Sequence, residues 1–170
     1  MKQKNWLTPL QRVLDGLSIL ICLAVVIYII IIYNQLPQQI PSHYDALGNV
    51  TGYQGKSMLI VLAFIMVFVI TLPMSVLVRI RKLYTVINMP WPIPKGQEET
   101  VAELAKDFLC VTNLLITAMF GGIMLCCIHG WKPGVFVWLP VALMIGALVV
   151  FLVKTKRACI NPKDRDPWES

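Results

Sequence analysis

The chain has 170 residues, of which 57% are hydrophobic and only 14% are charged. A soluble domain of this length cannot bury so much apolar surface, so the composition excludes an ordinary soluble globular protein. The net charge of +6 does not indicate binding to nucleic acid, because the basic residues flank long apolar stretches, as expected for contacts with anionic lipid headgroups. The sequence therefore predicts an all-α integral membrane protein, with the lipid bilayer as a partner and no nucleic-acid partner.

Four apolar stretches are each close to the ~20 residues with which an α-helix crosses the hydrocarbon of a bilayer. They cover about 13–33, 58–78, 108–128 and 135–153. In lipid the backbone must satisfy its own hydrogen bonds, so these stretches are predicted to be transmembrane helices. The predicted regions are 1–80 (two spans and the loop between them), 81–107 (a loop), 108–153 (a helical hairpin) and 154–170 (a tail).

The lysines and arginines predict the orientation of these spans. All but two of the 15 lie before the first span, between the second and third spans, or after the fourth; the exceptions are Lys56 and Lys132. The protein is predicted to lie in the cell membrane. The positive-inside rule then places the N-terminus, the C-terminus and the 81–107 loop on the cytoplasmic side. The loops 34–57 and 129–134 are predicted to face outward.

Two places carry the signals of a helix start. Thr8, Pro9 and Gln11 fit an N-cap, a first-turn proline and a capping-box partner, so the first helix is predicted to begin ahead of its membrane entry. Thr100 and Glu103 fit a second capping box before the third span. The third helix is therefore expected to be longer than the hydrocarbon is thick.

Prolines and small residues inside the spans predict how the helices bend and pack. Pro73 and Pro140 each remove a backbone donor, so the second and fourth helices are expected to kink near them. Ala118 and Gly122 are small residues four positions apart, a spacing that permits the close approach of a neighbouring helix.

Asp15 is the one acidic residue within the four spans. Arg12 precedes it by three positions, and an interfacial ion pair between the two is predicted. The interiors of the spans otherwise offer few polar side chains, namely Ser18, Thr71, Ser75, Asn113 and Thr117. This scarcity argues against a proton-coupled pump, since such proteins use several polar groups within the membrane.

The outward loop 34–57 holds the candidate ligand-binding or structural motif. Each proline in it forces the preceding residue into extended geometry, so Leu36 and Ile40 are predicted to anchor the loop on the outer rim of the bundle. Gly48-Asn49 is a turn signal between two short segments and predicts a hairpin on the membrane surface. The motif residues are Leu36, Pro37, Ile40, Pro41, His43, Asp45, Gly48, Gly52, Gly55 and Lys56.

The spacing Leu36-Pro37, Ile40-Pro41, His43, Gly48, Gly52 and Gly55-Lys56 resembles the signature of the bacterial domain of unknown function 1648. That domain also forms the N-terminal part of SdpI-type immunity proteins. The resemblance covers about the first eighty residues, with Thr51 in place of an acidic residue. The resemblance implies a role in immunity to a secreted toxic peptide. It also implies that the presence of the peptide is relayed by holding a cytoplasmic repressor at the membrane.

The sequence lacks the common hydrolase and phosphate-binding motifs, so the protein is expected to be no enzyme and to need no cofactor. A metal site is a weaker alternative. His43 and His129 are both predicted on the outer side, but His43 and Asp45 alone have a close spacing, two apart on one face of a strand. No metal ligands are therefore assigned.

The leading functional prediction is a non-enzymatic multi-pass membrane protein of the immunity or signal-relay type. Its outer loop would meet an extracellular peptide or an envelope component, and its middle loop or tail would meet a cytoplasmic regulator. Two alternatives remain open at this point: a small transporter or permease-like subunit, and a metal-dependent membrane protein that uses His43.

Overall fold

A computed structural model describes residues 7–80, 83–85 and 89–160. In this part of the chain four helices are long and apolar enough to cross a membrane, namely Pro9–Gln35, Met58–Leu77, Glu98–His129 and Gly134–Cys159. The four predicted spans are thus confirmed by length and composition. Residues 81–82 and 86–88 of the predicted middle loop and 161–170 of the predicted tail lie outside the described residues.

The first helix, α1 (Pro9–Ile32), begins where the sequence predicts. The Thr8 hydroxyl accepts a hydrogen bond from the backbone N–H of Gln11, and the Gln11 side chain accepts one from the backbone N–H of Thr8. This capping box satisfies two backbone donors that a helix start leaves free. A single 3₁₀ turn, Tyr33–Gln35, follows α1 and leads into the outer loop.

The outer loop folds into a hairpin of two antiparallel strands, β1 (Gln39–Tyr44) and β2 (Val50–Gly55). Pro41 lies opposite Tyr53, and the register shifts on both sides of His43, where the strands are irregular. The predicted hairpin is therefore present. Because it is a true two-stranded sheet, the all-α prediction needs correction: the fold is mostly helical with a small sheet.

The second membrane helix changes its hydrogen-bond pattern halfway along. It consists of α2 (Met58–Phe64), a π-helical segment (Ile65–Thr71) and α3 (Leu72–Leu77). Pro73 has no N–H to donate, and the π segment lies just before it. Pro140, in contrast, lies inside an uninterrupted α-helix.

The last two membrane helices are α4 (Glu98–His129) and α5 (Gly134–Cys159). The capping box predicted at Thr100 and Glu103 is wrong, because α4 begins earlier, with Gln97 as N-cap, and two glutamates in its first turn complement the helix dipole. At the opposite end of α4 its small residue Gly122 faces α5, where an added Cβ would lie 2.6 Å from a ring carbon of Phe136. The predicted close approach at Gly122 is thus present.

Helix α4 is the centre of the bundle. It contacts α1, the second membrane helix, α5 and β1, whereas α5 packs mainly on α4 and leaves most of its apolar surface exposed. The bundle has two chemically different ends. We call the end with β1 and β2 the hairpin end, and the end with Arg79, Lys106 and Lys154 the basic end.

Candidate functional sites at the hairpin and inside the bundle

The hairpin is attached to the helices through apolar side chains. Ile40 of β1 is 1% exposed and lies in one apolar cluster with Ile29 of α1, Leu59 of α2 and Cys127 of α4. Leu36 packs against the same cluster and is partly buried. The residues placed before the two prolines therefore fix the hairpin to three helices at once, which is the anchoring that their sequence pattern predicts.

The turn of the hairpin is built around Asp45. One carboxylate oxygen accepts the backbone N–H groups of Leu47 at 2.9 Å and Asn49 at 2.8 Å, and the other accepts the Asn49 side-chain amide at 3.0 Å. These hydrogen bonds, led by the Asn49 backbone N–H, hold the pKa of Asp45 below its ordinary value. Gly48 has a φ of +78°, a conformation that glycine adopts without steric cost. Asp45 therefore stabilises the turn through these hydrogen bonds.

Two lysines join the hairpin to neighbouring loops. Lys56 Nζ donates to the carbonyl oxygens of Tyr33 at 3.0 Å and Leu36 at 3.2 Å, which ties the end of β2 to the end of α1. Lys132 Nζ, in the loop between α4 and α5, donates to Asn49 Oδ1 at 3.1 Å. The hairpin is therefore held at its base and at its tip.

The outward surface of the hairpin carries exposed apolar side chains. Leu47 is 78% exposed and Tyr53 is 62% exposed. His43 is exposed as well, with its Nδ1 atom 3.1 Å from the Ser42 hydroxyl, and Gly52 lies opposite it in the sheet. Of the remaining motif residues, Pro37 and Gly55 are exposed and Pro41 is half-buried. We call Leu47, Tyr53 and His43 the outer face of the hairpin.

The two histidines are not brought together. His129 Nε2 lies 2.9 Å from the Tyr28 hydroxyl, and its ring stacks on Trp131 with centroids 4.6 Å apart. Tyr44 of β1 packs beside the apolar cluster, and burial raises the pKa of Tyr44 to about 12. Within residues 7–80, 83–85 and 89–160 no group of three histidine, cysteine, aspartate or glutamate side chains has the geometry of a metal site.

A second candidate site lies between the helices, and it begins at Asp15. The Asp15 carboxylate is buried and accepts hydrogen bonds from Arg79 Nη2 at 2.7 Å and the Ser75 hydroxyl at 2.6 Å. The predicted ion pair with Arg12 is therefore wrong. Asp15 lies on the face of α1 that meets the other helices, whereas Arg12 is exposed and its Nε donates to the Leu7 carbonyl oxygen.

Further hydrogen bonds extend this site towards the middle of the bundle. The Asn113 amide donates to the Ser75 hydroxyl at 3.3 Å, Thr117 donates to Asn113 Oδ1 at 3.5 Å, and the Thr71 and Thr117 hydroxyls are 2.9 Å apart. All of these side chains except that of Arg79 are buried. We call the connected set the polar chain; its members are Asp15, Arg79, Ser75, Asn113, Thr117 and Thr71.

The polar chain does have a signal in the sequence, which the prediction of an Arg12–Asp15 ion pair did not use. Thr71, Ser75 and Arg79 recur every four residues, as do Asn113 and Thr117, so each set lies on one face of its helix. Polar side chains on one face of an apolar helix turn towards other helices rather than towards lipid. Each of the predicted interior residues except Ser18 belongs to this chain; the Ser18 hydroxyl bonds within α1.

A smaller cluster joins α1 to α4 at the basic end. The Gln11 amide is buried and donates to Asp107 Oδ1 at 2.7 Å and Glu103 Oε2 at 3.3 Å. Glu103 also pairs with Lys106 at 3.6 Å. Gln11 therefore has two roles, since its carbonyl oxygen completes the cap of α1 while its amide fixes that cap to α4.

Residues 20–68 match the model of a domain of unknown function, DUF1648. The matched segment is less than a third of the chain. The match covers most of α1, the whole hairpin and the first part of the second membrane helix, and it confirms the resemblance stated from the proline, histidine and glycine spacing. The polar chain lies outside the matched residues. No curated protein and no solved structure gives a significant match to the chain, so the relation to SdpI-type proteins stays a prediction.

Proposed function

We propose that this DUF1648 protein is a non-enzymatic membrane protein that binds a secreted peptide at its hairpin and passes the binding event to a cytoplasmic regulator, as an immunity or signal-relay protein. The proposal rests on the way in which the hairpin is attached to the helices. Its outer face exposes apolar side chains, while Ile40 on the same hairpin is buried among residues of three helices. A ligand on the outer face therefore acts on a surface that cannot move independently of the helices.

The orientation belongs to the same proposal. Lysines and arginines predominate in the segments at the basic end, which supports a cell-membrane protein with both termini in the cytoplasm and the hairpin outside. In that orientation an extracellular peptide reaches Leu47 and Tyr53 directly. The basic end is then available to the regulator.

The second membrane helix offers a path between the two ends. It begins just after Lys56, which is bonded to the end of α1, and it ends near Arg79, which pairs with Asp15. The π segment lies between these two points. Because π hydrogen bonding is rare and occurs mostly at functional positions, this segment is where the helix is best able to change its hydrogen bonds when a ligand moves the hairpin.

Deletion of the gene tests the proposal. The deletion strain should become sensitive to peptides secreted by related strains, or should change the expression of neighbouring genes when they are present. Tyr53→Ser should reproduce the defect with unchanged protein level, whereas Gln54→Ser, at the adjacent exposed position, should not. Unchanged sensitivity together with unchanged expression in the deletion strain would reject the proposal.

A small transporter is the second candidate, and the polar chain favours it. A buried carboxylate connected to hydroxyls across half of the bundle is the kind of group that transporters use for coupling. Purified protein in liposomes should then carry a flux that Asp15→Asn abolishes, while a ligand-binding protein shows no flux. Nothing in the described part of the chain favours the metal-dependent alternative at His43.

A further inference from the structure

A groove runs between α4 and α5 at the basic end. Its volume is about 280 Å³. Phe108 and Val111 of α4 form one wall and Val150 and Phe151 of α5 form the other, while the small side chain of Ala147 leaves room between them. The Phe108 and Phe151 rings stack with their centroids 4.9 Å apart. Because the residues that line the groove are mostly apolar, a hydrocarbon chain fits it.

Two opposite charges lie at the mouth of this groove. Lys154 of α5 lines it and is exposed, and in the part of the chain that the structure describes it has no ion-pair partner. Asp107 of α4 also lines it. The Oδ1 atom of Asp107 accepts from Gln11, but its Oδ2 atom accepts no hydrogen bond from the described residues, and Asp107 and Lys154 form no ion pair with each other.

We propose that the groove binds one phospholipid whose headgroup carries both a phosphate and a primary ammonium, as in phosphatidylethanolamine. One acyl chain lies along the groove over the stacked Phe108 and Phe151 rings. The phosphate contacts Lys154, and the ammonium donates to the free oxygen of Asp107. An anionic headgroup without an amine would place its phosphate on Lys154 but leave the nearby Asp107 carboxylate without a counter-charge.

This proposal stands apart from the proposed function. It needs the groove to lie at a membrane interface, but not a particular orientation of the chain or a ligand at the hairpin. Phosphatidylcholine distinguishes a charge contact from a hydrogen bond at Asp107, because its quaternary ammonium has the charge but no N–H to donate.

Native mass spectrometry of the full-length protein in detergent tests the site. With equal amounts of phosphatidylethanolamine, phosphatidylglycerol and phosphatidylcholine, the protein should retain phosphatidylethanolamine about fivefold more than phosphatidylglycerol, the ratio expected from one additional charge contact near the surface. It should also retain phosphatidylethanolamine more than phosphatidylcholine, which keeps the charge but has no N–H to donate. Lys154→Gln should reduce all binding. Asp107→Asn should remove the preference for the amine and leave phosphatidylglycerol bound equally well.

Filling the groove gives an independent measurement. Ala147→Trp should abolish lipid retention, whereas Ala142→Trp, the same substitution at an exposed position of the same helix, should leave it intact. Circular dichroism of both variants checks that they fold, and Lys154→Gln decides the matter if Ala147→Trp does not fold. Equal retention of the three lipids by the unchanged protein, a preference for phosphatidylglycerol, or equal loss in both tryptophan variants would overturn the proposal.

Discussion

The hairpin and the polar chain connect the same helices by different means. At the hairpin end, apolar packing around Ile40 and hydrogen bonds to backbone groups hold the structure, so the side chains of the outer face are left without structural duties. In the polar chain the side chains bond to one another, and nearly all of them are buried. The first region therefore tolerates change on its surface, while the second depends on every member.

The DUF1648 match falls on the first of these regions and stops short of the second. The matched segment accordingly consists of the hairpin and parts of the two helices that flank it. The polar chain draws its members from α1, the π segment, α3 and α4, so it exists only when the matched segment is assembled with the rest of the chain. Four predictions separate the two regions, and the largest effect is expected in the polar chain.

Arg79→Met should lower the free energy of unfolding by about 3 kcal/mol, because it leaves the buried Asp15 carboxylate without its cation. Asp15→Asn should cost less. Arg79 is 51% exposed and can return its charge to water, and an amide at position 15 still accepts from Ser75. Thermal unfolding in detergent measures both, with Arg12→Met as the matched control. An effect of Arg12→Met as large as that of Arg79→Met would restore the ion pair predicted from the sequence.

Ile40→Ala should cost about 2 kcal/mol, since it removes a fully buried side chain from the cluster that joins the hairpin to three helices. Ile27→Ala, at an exposed position of α1, is the control and should change little. Proteolysis of the outer loop measures the attachment directly. If both variants are cut at the rate of the unchanged protein, the hairpin is not held by Ile40.

Gly48→Ala should cost about 1 kcal/mol, because alanine at a φ of +78° is strained and its Cβ would lie 3.1 Å from the Cβ of Lys132. Gly16→Ala is the control, since nothing lies within 4 Å of an added Cβ in that helix. The same unfolding measurement applies. A neutral Gly48→Ala variant would show that the turn is free to adopt another conformation.

The smallest effect is the response of the turn to acid. The pKa of Asp45 lies below 3.8, the ordinary value for an aspartate. Its carboxylate therefore stabilises the turn above pH 3.8, and this stabilisation is lost as the pH falls through the folded-state pKa. The chemical shifts of the Leu47 and Asn49 backbone amides should follow this titration. In Asp45→Asn they should not. Titration of both proteins alike would assign the change to another group.

The spans, the start of α1 and the hairpin were predictable because each depends on local rules: the apolar length of a stretch, a capping box, and prolines and glycines at a turn. The partner of Asp15 was not predictable by proximity. Arg12 is near in sequence, but only the packing of α3 against α1 brings Arg79 to the carboxylate. Pro73 likewise predicted a kink in the second helix, whereas the π segment just before it had no signal in the sequence.

The contacts that fix the tip of the hairpin constrain the biogenesis of the protein. The chain separation between Lys132 and Asn49, the pair at the tip, is 83 residues. A ribosome must therefore deliver the third transmembrane segment to the membrane before the tip is secured. Until then the hairpin tip lacks its hydrogen bond to Lys132, although the whole loop has already been synthesised.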